Sequence, residues 1–172
     1  MEFIIQSMQE LFNNAVLQTG KLSDIKKVFY GDPVLINESS LPAITISPSS
    51  SDYSLRGSRY DEKTHNIEVR IVYNMKSFLN PNKDSTEYTE LKQIRTLIQQ
   101  VEDTNNVQET QNNTVCWIIQ KNSKLPYTVS WTTYYACELA KVVSVQYGQD
   151  TARGFPTYEA IINVSCTAIG DR

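Results

Sequence analysis

The 172-residue chain contains one histidine, His65, six glycines and three cysteines. It has no G-x-G-x-x-G, Walker A, C-x-x-C or G-x-S-x-G pattern, the short signatures of dinucleotide, phosphate, redox and hydrolase chemistry. With so few glycines, a loop that cradles phosphate through its backbone amides is poorly supplied. Cys116, Cys137 and Cys166 are an odd number without zinc-type spacing. They read as reduced core residues of a protein made in the cytoplasm. No run approaches the roughly 18 apolar residues of a membrane span, and the opening MEFIIQSMQELF has neither the basic start nor the cleavage site of a secretory signal. Asn37, Asn112 and Asn163 head formal glycosylation sequons, which without export are chance matches. Net charge is −3 and Lys26-Lys27 is the densest basic spot, so an electrostatic footprint for direct duplex binding is missing.

What is present is periodicity. Ile4, Met8, Leu11, Phe12, Ala15 and Val16 recur at three- and four-residue steps, which predicts an amphipathic helix over Phe3 to Thr19 with Gly20 at its C-terminal cap. A short strand follows in KKVFYGDP, then LPAITIS, where Pro42 suits a strand start or an edge. Ile67, Val69, Ile71, Tyr73 and Met75 alternate with Asn66, Glu68, Arg70 and Asn74, predicting a strand with one core face and one wet face. Asp84 to Glu87 has capping-box spacing before a helix whose stripe is Leu91, Ile94, Leu97, Ile98 and Val101. The polar tract EDTNNVQETQNN leads to TVCWIIQ, which reads as a strand. Two closing strands, LAKVVSVQYG and YEAIINVSCTAIG, form an antiparallel pair, the second with Tyr158, Ala160, Ile162, Val164, Cys166 and Ala168 on its buried face and Glu159, Asn163, Ser165 and Thr167 mostly on the other. The expected fold is one α+β domain over 1–172, a mainly antiparallel sheet of about five or six strands with two amphipathic helices on one face and an extended β-hairpin or loop arm.

Residues 47 to 64, SPSSSDYSLRGSRYDEKT, form that arm. Structureless connections beyond about 12 to 15 residues are functional or disordered, and this polar run suits contact with something outside the subunit. Ten tyrosines occur in the chain. Strand propensity accounts for Tyr73, Tyr147 and Tyr158, whereas Tyr53, Tyr60, Tyr127, Tyr134 and Tyr135 fall in loops, where tyrosine marks interfaces. Tyr53, Arg56, Arg59, Tyr60, Asp61, Glu62 and Lys63 are the candidate interface residues, a mixed-sign set suited to a partner surface of mixed charge. A solvated hairpin tip is the alternative from composition alone.

Catalytic candidates are thin. His65, at the end of the polar run, reads as a surface histidine; as a general base it would need a nucleophile and an orienting acid, with Ser58, Asp61 and Thr64 near in sequence only. Asp61-Glu62 and Glu102-Asp103 are adjacent pairs whose side chains diverge, and neither resembles a metal cage. No catalytic residue, cofactor site or metal site is assigned.

The order of elements, with the LPAI strand opening at Leu41 to Ile44 and the I-x-V-x-I strand at Ile67 to Ile71, resembles the tail terminator (tail completion) proteins in the neck of long-tailed bacteriophages. The tract 102–113 and the segment Lys121 to Cys137 are longer than that family's minimal pattern. The resemblance implies a structural, non-enzymatic virion protein of the tail and neck, made in the host bacterial cytoplasm. It implies a homo-hexameric ring that caps the tail tube and joins it to the head-completion or connector protein. A sheath protein is a further partner if the tail contracts, and DNA would pass only through the lumen. A tail tube subunit or a head-completion adaptor is the alternative, and more distantly a small hydrolase or ligand-binding domain using His65.

Overall fold

The computed structural model describes residues 1–18, 22–55, 60–75, 86–102 and 114–171. The fold is α+β. Helix α1 (Glu2–Leu17) leads to strand β1 (Lys27–Tyr30), then β2 (Ala43–Leu55), β3 (Tyr60–Asn74), helices α2 (Thr86–Val101) and α3 (Val115–Lys121), the hairpin strands β4 (Pro126–Val129) and β5 (Thr132–Tyr135), and the closing strands β6 (Leu139–Asp150) and β7 (Thr157–Asp171). The five-stranded sheet has order β1-β2-β3-β7-β6, with β4 and β5 forming a separate two-stranded sheet. Among the described residues only the β1–β2 pairing is parallel; the others are antiparallel.

Alternation along β3 builds the main core. Ile67, Val69, Ile71 and Tyr73 meet Ala160, Ile162, Val164 and Cys166 of β7 and Ile44 and Ile46 of β2 on one face. The helices close over that face with Ile4, Ile5, Met8, Phe12 and Ala15 from α1, Leu97 and Val101 from α2, and Val115, Ile118 and Ile119 from α3. Tyr73 fastens α2 to the sheet, its hydroxyl donating to Gln100 Oε1 at 2.7 Å; burial pushes the phenol up to about 12. The Gly20 cap, Asp84 of the capping box and the tract 103–113 lie outside the described residues.

Four features differ from the sequence expectation. TVCWIIQ is helical rather than extended: Thr114 Oγ1 accepts from the Trp117 amide at 3.2 Å, an N-cap. Its burial of Val115, Cys116, Ile118 and Ile119 has helical spacing, which in so short an apolar run cannot be told from a buried strand. Among the described residues three α-helices rather than two therefore cover the sheet. The strands flanking the polar run are longer than expected, and of the hairpin and loop alternatives the hairpin holds: β2 continues to Leu55 in register with β3, pairing Leu55 with Asp61. Tyr127, Tyr134 and Tyr135 lie in strands of the small hairpin.

The fourth concerns the second sheet face, expected to be wet. The segment from β1 to β2 crosses it, and Ile36 and Leu41 pack with Ala43, Val72 and Phe155 in a satellite core. Glu159 is consequently buried, not solvated. The three cysteines are free and buried, and burial raises the Cys116 thiol to about 12. No helix among the described residues is long and apolar enough to cross a membrane.

Phe12 is fully buried at the centre of the helix–sheet interface. Phe12→Ala is expected to cost about 3–5 kcal/mol, read as a lowered urea midpoint with an unchanged denaturant slope.

Candidate interface site

The arm is a ladder of three strands. Beyond the helix-covered core, β2 pairs with β3 from Ser50↔Asn66 to Leu55↔Asp61, while β3 pairs with β7 from Asn66↔Ser165 to Tyr60↔Asp171. At about 3.3 Å per residue, 48–55 reach about 25 Å. Short polar side chains dominate here, and Pro48, Ser49, Ser50, Asp52, Tyr53 and Ser54 are exposed. The ladder is tied by side chains: Asn66 Nδ2 donates to Ser50 Oγ at 2.8 Å and to Asp52 Oδ2 at 3.2 Å.

Of the candidate residues, Tyr53 and Lys63 are brought together as direct cross-strand partners. Tyr53 is 71% exposed, and the Lys63 ammonium sits 4.6 Å from its ring centroid. This pair presents a flat aromatic face already stiffened by a cation. Glu62 is half-buried opposite Ser54. Tyr60 and Asp61 are placed by their backbones in β3, whereas Arg56 and Arg59 lie outside the described residues.

His65 is not a surface residue. It is 4% exposed, and its Nδ1 lies 2.8 Å from Ser51 Oγ on the neighbouring strand. Its pKa is lowered, chiefly by burial and further by the N-terminal ammonium and Lys63, so the ring is neutral at pH 7. A serine beside an imidazole has the geometry of a nucleophile and base. Among the described residues no carboxylate orients this ring, and no group of three or more histidine, cysteine, aspartate or glutamate side chains could hold a metal ion.

A second exposed feature was invisible in the sequence. At the tip of the β4–β5 hairpin, Ser130 and Trp131 have φ of 49° and 70°, the sign that the tight two-residue turn requires and that Asn-Gly normally supplies. Holding non-glycine residues there costs roughly 1–2 kcal/mol each. Trp131 is 100% exposed, with Val129, Tyr134 and Tyr135 also exposed. The base is firm: Phe3 stacks on Tyr127 at 5.2 Å and Tyr127 on Tyr134 at 5.7 Å, and Ser7 Oγ donates to the Pro126 carbonyl at 2.7 Å.

Arg153 and Glu159 form a buried ion pair on the second sheet face. Arg153 Nε donates to Glu159 Oε1 at 2.8 Å, and its other nitrogens reach Asp32 Oδ1 and the Pro33 carbonyl, both at 2.7 Å. Burial opposes the charged form of Arg153, but hydrogen bonds to Glu159 and Asp32 outweigh it and raise its pKa. Arg70 completes the cluster through Glu159 at 3.3 Å, Asp32 at 3.6 Å and a close contact with Glu68. Every charge has a partner, so the cluster reads as a latch holding the 31–42 segment and the 150–156 turn on the sheet. The sequence carried no signal of it, since Glu159 shares its face of β7 with Asn163, Ser165 and Thr167.

No protein-family model matches the chain, and no curated protein matches it.

Two measurements follow from this geometry. Arg153→Met leaves the buried Glu159 carboxylate with only Arg70 and Thr157 and is expected to cost about 3 kcal/mol in urea unfolding, much of it recovered by Arg153→Met with Glu159→Leu. For His65 the folded pKa lies below the unfolded value of 6.5, so the unfolded state binds the proton first as pH falls. Its contribution is present above pH 6.5 and lost below it. The drop in urea midpoint below pH 6.5 is expected to be smaller in His65→Gln, this being the chain's one histidine.

Proposed function

We propose that the protein is a structural subunit that closes head-to-tail with identical copies into a ring, of the tail-terminator type that the sequence resembles. In this reading the ring is a hexamer on the end of a phage tail tube. It stops tube growth and presents its outer face to the head connector, with a lumen wide enough for DNA.

The observation that carries the reading is the arm. Three strands stay in register where polar side chains predominate, and among the described residues the outer edge of β2 is paired with a strand only along Ala43 to Ile46. A narrow polar ribbon gains little stability from burial within its own subunit. A neighbour that adds a strand to its edge, or accepts its Tyr53–Lys63 face, supplies what is missing. At the opposite end of the sheet order, β6 is the edge strand among the described residues. One interface made of two different surfaces closes a ring when its rotation divides a full turn. A net charge of −3 suits a lumen that DNA must traverse without sticking.

Sedimentation and electron microscopy of the purified protein, alone and with a phage tail tube protein, test the proposal. Six-fold rings, free or on tube ends, are expected, and tubes should be shorter in its presence. Long tubes formed unaided would instead indicate a tube subunit. A strict monomer that leaves tube length unchanged would overturn the reading. Deleting residues 53–62 is expected to leave a folded subunit, by circular dichroism, that forms no rings.

A further inference from the structure

Helices α1 and α3 leave a cleft between them, about 190 Å³ in volume, lined by Leu11, Ala15, Gln18, Trp117, Ile118 and Lys121 with two asparagines at its rim. It is smaller than the roughly 300 Å³ at which small-molecule sites begin, and its scale is that of a single large side chain. Its lining is mixed, with Leu11, Ala15, Trp117 and Ile118 as the apolar members. Its polar groups are amides and one cation, and the Lys121 ammonium already lies 4.4 Å from the Trp117 ring centroid. Among the described residues no carboxylate lines it. These features select a neutral, flat guest that can stack beside an indole and donate one hydrogen bond to an amide oxygen.

The same chain offers such a guest. Residues 126–136 carry no charged side chain, and Trp131 stands fully exposed at their apex on a turn strained at both central residues. The hairpin is braced at its base, so the indole is presented with little further ordering to lose. A tryptophan entering a cleft that its own insertion desolvates is the usual energetic centre of an interface.

We propose that the α1–α3 cleft receives Trp131 of a neighbouring copy, as a second contact of the head-to-tail interface. This inference rests on the ring reading above and adds the anchor that fixes how adjacent subunits are oriented. Guest and cleft are different surfaces, so each copy gives one tryptophan and accepts another.

The test uses two exposed positions, Trp131→Ala to remove the guest and Asn14→Trp to fill the cleft from its own helix, with folding checked by circular dichroism. Each variant alone is expected to weaken assembly by about tenfold or more in sedimentation equilibrium. An equimolar mixture retains one intact guest and one intact cleft and should form dimers that grow no further. Tryptophan emission of the wild type should shift to the blue on assembly, and that of Trp131→Ala should not. Undiminished rings in Trp131→Ala would overturn this contact and leave the ring reading standing, whereas a wild type that stays monomeric and never caps tubes would overturn both.

Discussion

The full-length pairing of β3 is the constraint on which the other elements depend. All 15 of its residues have partners on β7, and most also have partners on β2. A strand turns successive side chains to opposite faces, so this single register decides that Ile67, Val69, Ile71 and Tyr73 meet the helices while Glu68, Arg70 and Val72 meet the other layer. A slip by one residue would bring Arg70 under α1 and expose Ile71. The Arg70–Glu159 contact is therefore a product of register as much as of charge. The same ladder continues past the core into the arm, where the hydrophobic faces that set it have ended. The arm inherits its order from the body.

Much of this was legible because amphipathic periodicity survives in a single sequence. The α1 stripe, the alternation from Ile67 to Tyr73 and the buried face of β7 all follow from residue spacing. The misreading of Val115–Lys121 has a physical origin: a short apolar run satisfies both helical and extended burial, and its Thr114 cap was the cue that went unused. The polar half of β2 stays open between hairpin and loop in the sequence for the opposite reason. Its strand conformation comes from a long-range partner, and no hydrophobic alternation marks it. His65 and Glu159 were placed in water because their cover arrives from elsewhere in the fold. The Arg153 turn and the 31–42 segment are distant in sequence and meet only after the sheet has formed.

The candidate interface shows the same division. Tyr53 and Lys63 were singled out by composition, and cross-strand register turns them into one stacked unit. Trp131 was not singled out, since Ser-Trp carries no turn signal and its positive φ is imposed by the two-residue connection. The two surfaces share a principle. Each places an aromatic side chain where solvent is the default neighbour, on a backbone already fixed by its own hydrogen bonds. Binding to either would then lose little conformational freedom, which is where much of the cost of association lies.

Pro48 sits where β2 passes from body to arm, next to a register shift between Pro48 and Ser50. A proline offers no amide hydrogen, and a bulge bends and twists the strand that carries it. An invading strand could therefore zip along the distal stretch from Ser49 to Leu55, but its ladder would break at the proline before reaching the stretch that β1 occupies. The sheet's rim is thus segmented, admitting a docked strand of limited length while resisting the runaway edge-to-edge stacking that leads to fibrils.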